Sequence, residues 1–221
     1  MLIKILPQIT LTEEGPAVTE TLEHKHGYQL IHLKQGSLDG ACGPYCLCMA
    51  LILLGLEKHS KLSNLEHTER SKRLLSYISS YSDALITEGT YLHILKKYAK
   101  IYKDKGLKVS SKVANLHGNN NLKKAGRSKD YTSVRDFIIE NVQLNRPVIF
   151  GSVDHYSLVI GLGYDSETSG ATPRYLFLLD PDLSTPTCSP WNGVVDLGVR
   201  GNNWFGTGGF TFEAALALWK E

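Results

Sequence analysis

The stretch Tyr45 to Leu56 reads Tyr-Cys-Leu-Cys-Met-Ala-Leu-Ile-Leu-Leu-Gly-Leu and carries no charged residue. Wound as a helix it is apolar on nearly every face, which marks a helix enclosed in a core and not one lying on a surface. It is about a dozen residues long, where a bilayer span needs about 20. Just before it stands Cys42-Gly-Pro44. Proline is tolerated in the first turn of a helix and disfavoured further in, so Pro44 fixes the helix start near Cys42. The chain must therefore build its fold around a central buried helix that opens on a cysteine.

With 221 residues the chain fits one ordinary domain, here read as a single domain over 1–221, and it can bury a core without disulfides or a structural metal. A net charge of +2 is too weak to argue for nucleic acid or an anionic membrane. The start, Met1-Leu-Ile-Lys-Ile-Leu-Pro7, lacks a long hydrophobic core and a small-residue cleavage site, so it reads as a first strand and not as a signal peptide. The expectation is a soluble protein with no integral membrane segment, cytoplasmic or exported without a cleaved leader. Cys42, Cys46 and Cys48 crowd one segment and Cys188 stands alone. That pattern is neither a disulfide framework nor a zinc site, because no second Cys or His pair stands at matching spacing. Free thiols in a reducing compartment are expected, with no metal and no cofactor.

The first half reads mainly as helices. After the buried one, helices are expected over Leu65 to Tyr81 and from near Glu88 to Lys103, the latter with Leu92, Leu95, Ala99 and Tyr102 on one stripe. A fourth begins near Ser133, which would cap it with Asp136, and turns Val134, Phe137, Ile138 and Val142 inward. The polar segment His117 to Lys129 reads as a loop, as does Gly201 to Gly209. The second half switches to strands: Arg146 to Gly151, His155 to Tyr164 and Arg174 to Asp180 are apolar runs around polar turns, the signature of antiparallel hairpins. Trp204 to Thr211 adds a further strand, and Phe212 to Lys220 a closing helix or strand. The fold class is α+β, a helical first half with an antiparallel sheet in the second half.

The position of Cys42 suits a nucleophile, because unpaired amides and the helix dipole at a helix N-terminus favour thiolate over thiol. Cys46 and Cys48 lie deeper in the same helix, where apolar burial makes a thiol inert. A thiolate needs a base that can protonate a leaving group. Among the eight histidines, His155 opens an apolar strand and is best placed. His24, His26, His59, His67 and His117 read as surface, and His32 and His93 as core-edge residues. The base needs an orienting group. Asp180 ends the neighbouring strand before Pro181, and Asp182 is its rival. Acyl transfer also needs donors for an oxyanion: the Cys42 amide is one, and Gln35 carries a side-chain amide that suits the second.

In the order Gln35, Cys42, His155 and Asp180, these residues resemble papain-like cysteine peptidases. Cys42-Gly-Pro-Tyr-Cys46-Leu47, His155-Tyr-Ser-Leu-Val-Ile and Asp180-Pro181 resemble the double-glycine-leader peptidases of bacteriocin-processing transporters and their stand-alone relatives. The resemblance is confined to 35–50 and 147–182. It implies a papain-like fold, with Cys42 as nucleophile, His155 as base, Asp180 as orienter and Gln35 as oxyanion donor. It also implies a bacterial thiol protease acting on a protein or peptide substrate. The stretch 57–130 looks like an expanded helical insertion, and no transporter is attached, so leader processing is not implied. The same triad would serve a toxin or effector acting as deamidase, acyltransferase (transglutaminase-like) or isopeptidase. An inhibitor or immunity partner for such a protein is not identified by the sequence. A binding module on an inactive scaffold is disfavoured because all four residues are intact.

Overall fold

The computed structural model describes residues 1–22, 25–35, 41–63, 72, 74, 76, 78, 90–114, 116–117, 128–129, 131–152, 154–165, 171–198 and 211–221. The chain begins with four strands, β1 (Leu2–Ile5), β2 (Ile9–Thr12), β3 (Gly15–Leu22) and β4 (Lys25–Leu30). Helices α1 (Cys42–Leu53) and α2 (His59–Ser63) follow, then α3 (Leu92–Ala99), which runs into a 3-10 helix, Lys100–Lys105. Next come β5 (Leu107–Val113), a short pair β6 (Leu116–His117) and β7 (Ser128–Lys129), and helix α4 (Tyr131–Gln143). The chain continues with β8 (Val148–Ser152), β9 (His155–Tyr164), β10 (Tyr175–Leu179), β11 (Gly193–Asp196) and β12 (Ala214–Lys220).

The architecture is mixed α+β around one antiparallel seven-stranded sheet, in the order β11-β10-β9-β8-β12-β5 with β1 also paired to β9. β9 is the axis. Its first half pairs with β8 and its second half with β1 on the same edge, while β10 lines the other edge. Ser157 to Gly163 are buried without alternation, as expected of a strand covered on both faces. α1 and α4 both pack against β9, and α3 packs against α1. Eleven of the twelve residues of α1 are buried, Tyr45 being half-buried, so the helix is enclosed as its uniform apolarity requires.

Several elements differ from the sequence reading. The first half is not mainly helical: β2, β3 and β4 form a second antiparallel sheet before α1. The alternation Ile9-Thr-Leu-Thr12 and the two-residue turn closed by Thr12 opposite Gly15 are its local trace in the sequence, too short to give a strong period. Within 57–130, read as helical, Leu107–Val113 is a strand that pairs along β12 at one edge of the main sheet. Helix α4 starts at Tyr131, so Ser133 lies inside it and is not its cap. Tyr131 is drawn into the helix by tertiary contacts, its ring against the core and its hydroxyl donating to Glu213 at 3.3 Å.

The expected inward face of α4 is largely as read, with Val134, Ile138 and Val142 buried and Phe137 half-buried. The stripe Leu95, Ala99 and Tyr102 is buried, and Gly106 ends the segment in the left-handed region (φ 82°). In the helix expected over Leu65 to Tyr81, Lys72, Leu74, Ser76 and Ile78 are helical and the remainder lies outside the described residues. Trp204 to Phe210, the Gly201 to Gly209 loop and most of His117 to Lys129 also lie outside them. The closing segment is a strand, β12, lying between β8 and β5. No described helix is long and apolar enough to cross a membrane.

β1 can lie against β9 only because Gly161 has no side chain. A Cβ there would run into the Ile5 Cδ1 and sit 2.8 Å from the Lys4 carbonyl oxygen. Gly161→Ala should therefore loosen β1 and lower stability by about 1–3 kcal/mol, the usual range for overpacking a tight contact. Urea unfolding measures the loss, and faster proteolysis within residues 1–6 should accompany it.

Candidate active site

Cys42 is the first residue of α1 and is 5 % exposed. Ala41 precedes it and makes no side-chain cap, and no acidic residue occupies the first turn. The first amides of a helix have no intrahelical acceptor, so this end of α1 is positively polarised. Cys46 and Cys48 follow inside the helix at 0 % and 6 % exposure. Burial pushes the Cys46 thiol well up, with the nearby Cys42 and Asp180 adding to it. Burial, helped by Glu57, pushes Cys48 up to about 12. Those two thiols stay protonated at neutral pH. None of the four cysteines is joined in a disulfide.

His155 is delivered by a tight turn. Ser152 and His155 are opposed in the β8–β9 ladder, and Asp154 between them adopts the left-handed conformation (φ 56°), which Asp tolerates better than most residues. The imidazole therefore stands at the very end of β9, beside the start of α1. Asp180 follows the last residue of β10. Its side chain reaches His155 because of a register shift: Phe177 opposes Gly161, whereas Leu178 opposes Val159. Ile160 is the extra residue, and its carbonyl accepts from the Leu6 amide at 2.9 Å.

Without that bulge Asp180 would fall opposite Leu158 and point to the other face. With it, Asp180 follows the Leu179–Leu158 pair, opposite Ser157, on the face that also carries His155. The contacts agree. His155 Nε2 lies 2.9 Å from Asp180 Oδ1 and 3.0 Å from Oδ2, and Ser157 Oγ donates to Oδ2 at 3.2 Å.

The Asp180 side chain is 1 % exposed and that of His155 is 30 % exposed. A carboxylate so enclosed is tolerated only when its lone pairs are filled and a positive charge is at hand. Asp180 Oδ1 also accepts from the Asp182 amide at 2.9 Å. Burial is the largest single influence on His155 and pushes it down. Hydrogen bonds to Asp180 and Cys42, with their charges, outweigh burial and hold His155 up at about 10. With Nε2 committed to Asp180, Nδ1 is the nitrogen left for Cys42. The arrangement can hold an imidazolium between a carboxylate and a sulfur.

The structure thus brings Cys42, His155 and Asp180 into one chain of contacts. Asp182, the rival, is exposed and contributes its backbone amide to Asp180. Gln35 is tied to the same corner through its own amide, which donates to the Pro181 carbonyl at 2.8 Å. Its side-chain Oε1 is buried with no hydrogen-bond partner among the described residues. Tyr156, next to His155, packs its ring over Gly43 and Gly151; burial and the nearby cysteines push its hydroxyl up.

Sequence reasoning missed Ser157, Asn192 and the partners of His32. His32 is 4 % exposed and bonds into the Asp180 turn, whereas His93, grouped with it as a core-edge residue, is exposed beside Tyr91. A serine inside the apolar run of β9 was the one readable hint for Ser157.

No protein-family model matches the sequence. No curated protein matches it. Among solved structures, UfSP from C. elegans superposes on the whole chain with a TM-score of 0.46 at 11 % identity. The chain spans 34 % of that protein's length. A likeness of that degree assigns neither fold family nor activity.

The raised proton affinity of His155 has a consequence for stability. Its folded value of about 10 lies above the ordinary 6.5, so the stabilisation it gives is complete below 6.5 and is lost as pH rises through about 10. Urea midpoints measured at either end of that window should fall with pH in the wild type. In His155→Gln, which keeps a donor for Asp180 but cannot titrate, the fall should be smaller. Equal falls would show that His155 binds its proton no more tightly in the folded protein.

Proposed function

We propose that the protein is a cysteine hydrolase with a papain-like arrangement, most specifically a peptidase acting on protein or peptide substrates. The observation that carries this reading is the continuous contact from Cys42, at the head of a buried helix, through His155 to the buried Asp180 carboxylate. Three separate elements, α1, β9 and the end of β10, each deliver one group to the same corner. Ordinary packing does not require a cysteine, a histidine and a fully enclosed carboxylate in line.

In this reading the Cys42 sulfur attacks the scissile carbonyl carbon, and the carbonyl oxygen becomes an oxyanion. The Cys42 amide and the Gln35 side-chain amide donate to it. His155 gives its proton to the leaving amine as the C–N bond breaks, which leaves a thioester on Cys42. A water molecule then attacks the thioester while His155 accepts its proton. The C–S bond breaks, the acid product leaves and the thiolate–imidazolium pair is restored. Asp180 keeps the imidazole in place through both steps and stabilises its charged form. The residues 57–130, which supply α3 against α1, are proposed to shape substrate selection within a single domain.

The test is digestion of a degenerate peptide library followed by mass spectrometry. The wild type should release new termini, and Cys42→Ala should release none while keeping its thermal stability. Cys46→Ala should keep cleaving but lose on the order of 1 kcal/mol through a lost buried contact. Cleavage that survives Cys42→Ala would remove Cys42 as nucleophile. Conversion of glutamine to glutamate without chain cleavage would replace the peptidase by a deamidase on the same residues.

A further inference from the structure

At the Asp180 corner the chain leaves the sheet, and a strand end normally leaves backbone groups without ladder partners. Here the Asp180 amide is taken up by a side chain, and its carbonyl by side chains together with a longer turn bond from the Leu183 amide at 3.4 Å. Asn192 Oδ1 accepts from the Asp180 amide at 2.7 Å, and Asn192 Nδ2 donates to the Asp180 carbonyl at 2.9 Å. The second hydrogen of that amide goes to the Ser184 carbonyl at 3.2 Å. Asn192 stands immediately before β11, with its own amide on the Leu178 carbonyl at 3.0 Å. Its side chain therefore continues the β10–β11 ladder past its end, onto the residue that bears the orienting carboxylate.

His32 closes the same clamp from the other side. Its Nε2 lies 2.9 Å from the Asp180 carbonyl oxygen, and its Nδ1 lies 2.9 Å from Thr185 Oγ1. A carbonyl can only accept, so Nε2 carries the hydrogen and Nδ1 accepts from the Thr185 hydroxyl. Asn192 Nδ2, 3.2 Å from the same Nε2, is a fellow donor aimed at one carbonyl and not a partner of the ring. His32 is 4 % exposed, and its burial is satisfied by these two bonds.

We infer that Asn192 and His32 are positioning residues: they fix the Asp180 backbone so that its carboxylate meets His155. This rests on the catalytic reading of Asp180 given above. Neither residue touches the reacting atoms. Both act by holding a peptide unit whose own turn supplies only a long bond, from the Leu183 amide to the Asp180 carbonyl at 3.4 Å, Pro181 having no amide hydrogen to add. The segment 31–35 carries His32 to the Asp180 carbonyl and Gln35 to the Pro181 carbonyl, so one short stretch braces two consecutive peptide units of the turn.

The test follows the rate of Cys42 alkylation by iodoacetamide against pH, mapped by mass spectrometry, in Asn192→Ala, His32→Leu, His32→Gln and Asp180→Asn. A loosened Asp180 holds the imidazolium less well, so Asn192→Ala and His32→Leu should move the profile to higher pH. A displacement of about one pH unit lowers the rate roughly tenfold on the acid limb of the profile and changes it little on the plateau above. His32→Gln retains a donor for the Asp180 carbonyl and should restore the wild-type profile. A purely structural role would lower the melting temperature and leave the profile in place.

Wild-type profiles in Asn192→Ala and His32→Leu, together with a displaced profile in Asp180→Asn, would overturn the clamp and leave the catalytic reading standing. A wild-type profile in Asp180→Asn would overturn both. Should Asn192→Ala fail to fold, the two His32 variants decide the matter.

Discussion

A carboxylate that is 1 % exposed at the end of a strand is the most demanding group in this protein. Removing it from water costs several kcal/mol, roughly, unless charge and hydrogen bonds replace the lost hydration. Asp180 obtains both: the imidazole of His155 across its two oxygens, the Ser157 hydroxyl, and the Asp182 amide. Each contact depends on a feature of the backbone. The bulge at Ile160 sets the face on which Asp180 lies, the left-handed Asp154 sets the start of β9, and Asn192 extends the ladder beyond β10. Sheet geometry and site chemistry are here one problem.

The same dependence holds for α1. Its apolar surface is enclosed by β8, β9 and α3, which holds its N-terminus beside the first residue of β9. A helix on the surface would fray at that end and leave the sulfur mobile. Enclosure also separates the three cysteines of the helix. Burial leaves Cys46 and Cys48 protonated, while Cys42 meets His155. Position along one helix, and not residue type, divides inert thiols from the candidate nucleophile.

The sequence made the helix around Cys42 legible through Pro44 and the uncharged run behind it, and it made the three long apolar strands legible through their turns. It singled out Cys42, His155 and Asp180 because each sits at an element edge, where a side chain can reach a neighbour. The early β2–β4 sheet was hidden because short half-polar strands give a weak periodic signal. β5 was missed because its register is set by β12, about a hundred residues away, and local pattern carries no such information. The bulge at Ile160 was unreadable for the same reason: an extra residue in an apolar strand looks like any other. Asn192 and His32 were out of reach because their partners are backbone groups of a turn, which have no identity in the sequence.

The most direct test of the account compares the four thiols of the native protein. Cys188 is exposed and Cys42 is 5 % exposed, so access alone predicts that iodoacetamide labels Cys188 first. A thiolate held beside an imidazolium predicts the opposite. At about pH 6, where ordinary thiols are almost wholly protonated, Cys42 should be labelled ahead of Cys188, with Cys46 and Cys48 untouched. Labelling of Cys188 first, with Cys42 showing no preference, would contradict an assembled Cys42–His155–Asp180 site.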